Sequence, residues 1–170
     1  MKHTIKVIGI DPGLANTGYG IVEGTGSRLG DYSFGTIRTS SAQVLAARLN
    51  HIFSEVCSVL NSEKPDLMVI EDTFSLTEYP KSGIALGKVT GVILLSGARC
   101  RVPSIELPSR ELKQALTGNG NASKNQIERS VRHLLNSQTP ITPSHASDAL
   151  ALAIVGLFRH GDSVASPAPE

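Results

Sequence analysis

At 170 residues, 40% hydrophobic and 18% charged, the chain has the length and composition of one globular domain with a sizeable core. Apolar runs such as Val92-Ile93-Leu94-Leu95 are far too short to span a bilayer. Cys57 and Cys100 form neither a metal-ligand motif nor a disulfide framework, and the N-terminal residues lead straight into a strand without a signal-peptide pattern, so a cytoplasmic protein with no membrane association is expected. The net charge of +1 excludes a uniformly polycationic nucleic-acid binder, yet the charge is uneven: residues 81–132 carry nine basic and three acidic side chains, a net +6 against −5 elsewhere. A phosphate backbone would select such one-sidedness, and solvated helix surfaces would also produce it.

Residues 4–10 read as a first strand that delivers Asp11 to its end, where Pro12 and Gly13 turn the chain into a second strand at 17–23. A carboxylate at that position either holds a divalent cation against phosphate oxygens or accepts turn hydrogen bonds. Tyr32–Thr39 is a third strand, antiparallel to its neighbours because the connections are short. Ser40 or Ser41 caps a helix to Asn61, in which Leu45, Leu49, Ile52, Val56 and Val59 recur at helical spacing. Lys64-Pro65-Asp66 ends that pattern. Leu67-Met68-Val69-Ile70 is then a strand buried on both faces, ending on Glu71-Asp72. A right-handed crossover sets it parallel to the first strand, so Asp11 and Glu71 emerge at one sheet edge, where open sheets bind ligands.

Residues 75–82 read as a loop and 82–98 as a helix with Gly83, Gly87 and Gly91 on one face, a stripe that implies close approach of another backbone from the same subunit or from a partner. Val102–Ile105 is a fifth strand, kept near an edge by Pro103. Ser109 is expected to cap a short helix at 110–116, and Ser123 to open one reaching about Asn136. After the 139–143 linker, an Ala- and Leu-rich helix starts near Ser144 and packs on the sheet. The reading is a single domain over 1–160 with a disordered tail at 161–170.

His145 and Asp148 fall three apart, on one face in the first turns of that last helix. An acid near a helix N-terminus is favoured by the dipole, which accounts for Asp148 alone. It does not account for three separate elements each presenting an acid where core meets edge. Asp11, Glu71 and Asp148 with His145 make an oxygen-rich site suited to Mg²⁺ or Mn²⁺. Two such ions can activate water and stabilise the leaving oxygen of a phosphodiester, with Asp11 placed to bridge both. A two-lobed phosphotransferase ranks below this reading, since the chain is long enough for one lobe and holds a single Asp-x-Gly hairpin.

The segments Gly9-Ile10-Asp11-Pro12-Gly13, Thr17-Gly18-Tyr19-Gly20, Ile70-Glu71-Asp72-Thr73-Phe74 and His145-Ala146-Ser147-Asp148-Ala149-Leu150-Ala151 resemble, in order and spacing, the RuvC family of bacterial Holliday junction resolvases. The resemblance runs from residue 5 to about 160. It implies an RNase H-like α/β fold with a mixed five-stranded sheet flanked by helices. It also implies a metal-dependent crossover junction endodeoxyribonuclease acting in DNA recombination and repair. By the same resemblance Asp11, Glu71, His145 and Asp148 are metal ligands, two cations occupy each active site, and Phe74, Lys113 and Lys124 contact DNA. The residues alone leave Phe74 open as a hydrophobic plug and the two lysines as solvated surface. The implied partners are four-way junction DNA, a second copy of the chain joined through the Gly-rich helix, and the RuvA–RuvB branch-migration complex. Two departures stand out. Many members carry an acid where His145 stands, so an imidazole here either shifts metal preference toward Mn²⁺ or shuttles protons. The loop around Thr77-Glu78-Tyr79-Pro80-Lys81 also differs in character from the family pattern.

Overall fold

The computed structural model describes residues 4–26, 28–72 and 80–164. In chain order the elements are strands β1 (Ile5–Asp11), β2 (Asn16–Thr25) and β3 (Arg28–Arg38), helix α1 (Leu45–Glu63), strand β4 (Leu67–Asp72), helix α2 (Pro80–Arg99), strand β5 (Ser104–Pro108), and helices α3 (Ser109–Thr117), α4 (Lys124–Leu134) and α5 (Ser144–Val164). The strands form one mixed sheet in the order β3-β2-β1-β4-β5. β1, β2 and β3 pair antiparallel. β4 runs parallel to β1, as expected from the helical crossover, and β5 runs parallel to β4.

Side-chain alternation along the two central strands divides the core. Ile8 and Ile10 of β1 and Met68 and Ile70 of β4 pack with Ile52, Val56 and Leu60 of α1 and Val89 and Ile93 of α2. Val7, Leu67 and Val69, on the other face, pack with Leu150, Leu152, Ile154 and Leu157 of α5. The period of two carries on to the strand ends, so Asp11 and Glu71 both belong to the α5 face. Helix α5 lies between the sheet and helices α3 and α4, and Ala149 through Ile154 are without exposure. Each of its large apolar side chains stabilises the fold by roughly 1.5–3 kcal/mol on burial.

Several boundaries differ from the sequence expectation. β3 begins at Arg28, not Tyr32, because backbone pairing of Gly24 with Leu29 and Thr25 with Arg28 carries the ladder past the exposed residues Gly30 and Asp31. Helix α1 starts at Leu45 behind Val44, which supplies no side-chain cap. Ser40 instead closes a turn, its Oγ accepting from the Ala42 amide at 3.2 Å. Residues 80–82, expected in a loop, form the first turn of α2, where proline at the leading position is tolerated because that amide has no helical partner. β5 lies two residues later than expected, at the sheet edge that Pro103 allows. Ser109 is not a cap: Pro108 holds the N-cap position and Ser109 is the first helical residue of α3. Ser123 does cap α4, in a reciprocal capping box with Gln126. Helix α5 continues to Val164, past the residue where the tail was expected to begin. A Cβ placed on Gly87 or Gly91 would meet no neighbouring atom within 4 Å, so no backbone among the described residues covers that part of the stripe. Among the described residues, no helix is long and apolar enough to cross a membrane.

Candidate active site

The sheet brings the first two acids together. Ile10 of β1 is paired with Ile70 of β4, so Asp11 and Glu71 are the next residues in register and share the α5 face. The first turns of α5 add His145 and Asp148 from above. This helix comes so close because the strands beneath it lack side chains where it crosses. A Cβ on Gly18 would strike the His145 carbonyl, and one on Gly20 would stand 2.6 Å from the Leu150 amide nitrogen. Lys113 of α3 and Lys124 of α4 join the four residues around a pocket of about 170 Å³, whose wall also includes Ser109, Leu112 and Ile127.

The turn after Asp11 is held from two sides. The buried Thr17 hydroxyl donates to the Gly13 carbonyl at 2.7 Å. Thr39 donates through Oγ1 to the Leu14 carbonyl at 2.5 Å and accepts from Arg48 Nε at 2.8 Å. Through these two bonds α1 reaches the loop that fixes the end of β1.

Each acid has a distinct electrostatic setting. Asp11 is 8% exposed, and its Oδ2 lies 2.7 Å from His145 Nδ1. Protonated Nδ1 donates in this contact, leaving Nε2 as the ring's remaining nitrogen. Glu71 is pushed up to about 7, first by burial, then by the negative charge of Asp11 and a hydrogen bond to it, while a hydrogen bond from the Ser109 hydroxyl opposes the shift. Asp148 is also raised, by burial and then by Asp11, against the pull of Lys124, whose Nζ stands 3.6 Å from its Oδ2. Carboxylates crowded this way resist ionising together, and a hard cation relieves that repulsion. The donor set, three carboxylates and one imidazole, fits such an ion chemically. Among the described residues, no three acid, imidazole or thiol side chains close on one point tightly enough to grip an ion as they stand.

All four expected ligand positions and both lysines therefore line one pocket. Phe74 lies outside the described residues, as does most of the neighbouring loop. Two features of the site were not read from the sequence. One is the seat for α5 formed by Gly18 and Gly20, for which the glycines of the second strand were the available signal. The other is the hydroxyl of Ser109, which the helix-cap reading concealed.

The family model described as crossover junction endodeoxyribonuclease RuvC matches residues 7–156. The crossover junction endodeoxyribonuclease RuvC of Geobacter metallireducens is 39% identical over 150 residues, covering 88% of this chain and 90% of that protein. The solved structure of Thermus thermophilus RuvC in complex with Holliday junction substrate superimposes with a TM-score of 0.83 at 30% identity, covering 93% of this chain and 97% of that one. The yeast mitochondrial Holliday junction resolvase, at 11% identity and a TM-score of 0.60 over 94% of this chain and 79% of its own, shares the fold alone. The architecture is thus the expected RNase H-like mixed sheet, and with the family match spanning both central strands and most of α5, the chain belongs to the RuvC family of crossover junction endodeoxyribonucleases.

Proposed function

We propose that this protein resolves Holliday junctions in homologous recombination and DNA repair, as a homodimer that cuts two opposed strands of a four-way junction by paired symmetric nicks. The observation that carries the reading is the convergence of Asp11, Glu71 and Asp148, from three separate elements, on one pocket that Lys113 and Lys124 also line. Clustered acids oppose phosphate binding and therefore serve a binder poorly, but they suit a nuclease that acts through cations.

In this reading Asp11, Glu71, His145 and Asp148 would hold two divalent cations. The chemistry such ions, Mg²⁺ or Mn²⁺, would supply when bound is activation of a water and neutralisation of the leaving oxygen. Lys113 and Lys124 hold the phosphates flanking the cut, and Lys124 exchanges Asp148 for a phosphate oxygen when DNA arrives. Its side chain is 73% exposed, so that ion pair yields readily. Leu112 and Ile127 give the pocket an apolar wall that limits bulk water. Phe74 stacks on a base unpaired at the junction centre. The imidazole of His145 shifts preference toward Mn²⁺. A junction has two-fold symmetry, which supports the homodimer, and the exposed stripe on α2 is the surface available for it. The RuvA–RuvB complex is the partner that presents the junction, and a chromosomal substrate places the protein in the cytoplasm.

Cleavage of an end-labelled synthetic four-way junction tests this reading. Paired nicks at symmetric positions are expected with Mn²⁺ or Mg²⁺, none with EDTA, and a loss of at least about 100-fold in Asp11→Asn, which removes the central ligand. Equal cutting of linear duplex or RNA, or junction binding without nicks in either metal, would overturn it.

A further inference from the structure

We infer that Ser109 is a positioning residue that orients the Glu71 carboxylate toward the metal site, an inference that rests on the metal-dependent reading above. Serine just before or at the start of a helix ordinarily spends its hydroxyl on a helix amide. Ser109 does not. The N-cap of α3 is Pro108, with no side-chain cap bond.

Sheet register explains where the hydroxyl goes instead. Glu71 of β4 is paired with Leu107 of β5, and Asp72 with Pro108. The edge strand therefore ends beside Glu71, and α3 begins at once, with Ser109 as its first residue. Ser109 lines the same pocket as Glu71, and its hydroxyl acts on that carboxylate in the direction of a donor, favouring the ionised form. One helical turn later, Lys113 reaches the pocket from the same face of α3. A single short helix thus delivers both a hydrogen-bond donor for a ligand and a cation for the substrate.

The terminal torsion of a glutamate is broad and nearly two-fold, so an isolated carboxylate has no fixed orientation. A donor on one oxygen fixes the group and leaves the other oxygen toward Asp11. Outer partners of this kind typically alter metal affinity by 10–100-fold when removed. Aspartate and histidine in this site already have such partners in His145 and Lys124. For Glu71 the described partner that donates rather than competes is Ser109.

The test compares Ser109→Thr with Ser109→Val, which match in shape and differ by one hydroxyl, with Ser109→Ala as a third variant. Mn²⁺ binding is measured without DNA by electron paramagnetic resonance or calorimetry, and junction nicking is titrated against Mn²⁺. Ser109→Val and Ser109→Ala are expected to bind Mn²⁺ about 10-fold more weakly and to need correspondingly more metal for half-maximal nicking. Ser109→Thr is expected to stay within about twofold of the parent in both measurements. Equal Mn²⁺ affinity in the Thr and Val variants overturns the inference, whether both are normal or both are weak. Glu71→Gln separates the two levels of the argument. If it weakens Mn²⁺ binding while Ser109→Val does not, the inference about Ser109 fails alone. If Mn²⁺ binding ignores Glu71→Gln, the metal-site reading fails and takes the inference with it.

Discussion

Glu71 is pulled in opposite directions by its surroundings, and the balance has a consequence for stability. Burial and the adjacent Asp11 raise its carboxyl from 4.5 to about 7, and Ser109 only partly offsets them. An acid raised in the folded state holds its proton more tightly there than in the unfolded chain. Folding therefore takes up a proton between these values, and the stability this represents is complete below about pH 4.5 and lost as pH rises through 7. The shift corresponds to an effect on the order of 3 kcal/mol. Asp148 is displaced in the same direction and adds to it. Metal-free protein should accordingly melt at a lower temperature at about pH 8 than at about pH 5, and Glu71→Gln should flatten that dependence in a thermal-melt series with EDTA. Divalent cations should restore the melting temperature above pH 7 by favouring the ionised acids. A melting temperature that rises from pH 5 to pH 8 without metal would contradict this. The positions of these acids were legible from strand ends and an i, i+3 spacing. The contacts that tune them were not. His145 was read beside Asp148, yet it bonds Asp11 at the end of β1, and only the three-dimensional approach of α5 to β1 reveals that.

At the scale of elements, the site depends on how closely α5 can lie on the β1–β2 hairpin. Gly18 sits directly beneath His145, and its backbone neighbour there is the His145 carbonyl, which cannot rotate away as a side chain would. Gly18→Ala should therefore lift the first turn of α5. The expected loss is about 1–3 kcal/mol of stability by denaturant unfolding, the usual range for an overpacked core. Nicking should fall further than stability explains, because the same displacement separates His145 and Asp148 from Asp11. An Ala variant with unchanged stability and full activity would show that the helix has slack. The sheet itself was readable in advance because its signals are local: β-branched runs, a buried strand without polar interruptions, and glycine-rich turns. The α5 seat was not, since glycines in a strand look the same whether they mark a turn, a bulge or a helix crossing. The start of β3 failed for a related reason. Arg28–Asp31 carries no apolar alternation, and only its pairing with β2 makes it a strand. Ser40 and Ser109 were both assigned to helix caps on sequence position, while the structure uses one in a turn and the other at Glu71.

For the whole molecule, the surface that the proposed homodimer would use is the outer face of α2. Ile84, Gly87, Gly91 and Leu95 fall on one stripe of the helix, with Ile84 63% and Leu95 53% exposed. Large apolar side chains flanking bare glycine backbone are poorly suited to water but well suited to a helix crossing at short range. A two-fold axis through this stripe would pair it with itself, as an isologous interface requires. The glycines make the argument testable in sign. In a monomer, the methyl group of Gly87→Ala or Gly91→Ala meets no described atom within 4 Å and should raise stability by up to about 1 kcal/mol through helix propensity. In a dimer packed on this stripe, the same methyl groups hold the helices apart and weaken association. Leu95→Lys adds an uncompensated charge at the same contact. Sedimentation equilibrium should give a dimer for the parent protein, weaker association for Gly91→Ala and a monomer for Leu95→Lys. On a labelled junction, Leu95→Lys should bind more weakly and leave single, uncoupled nicks, since the pocket on each subunit remains intact while the second cut loses its partner. If Gly91→Ala is instead more stable, equally dimeric and still cuts in pairs, the stripe is solvent-facing in the working enzyme and the two active sites are joined through a different surface.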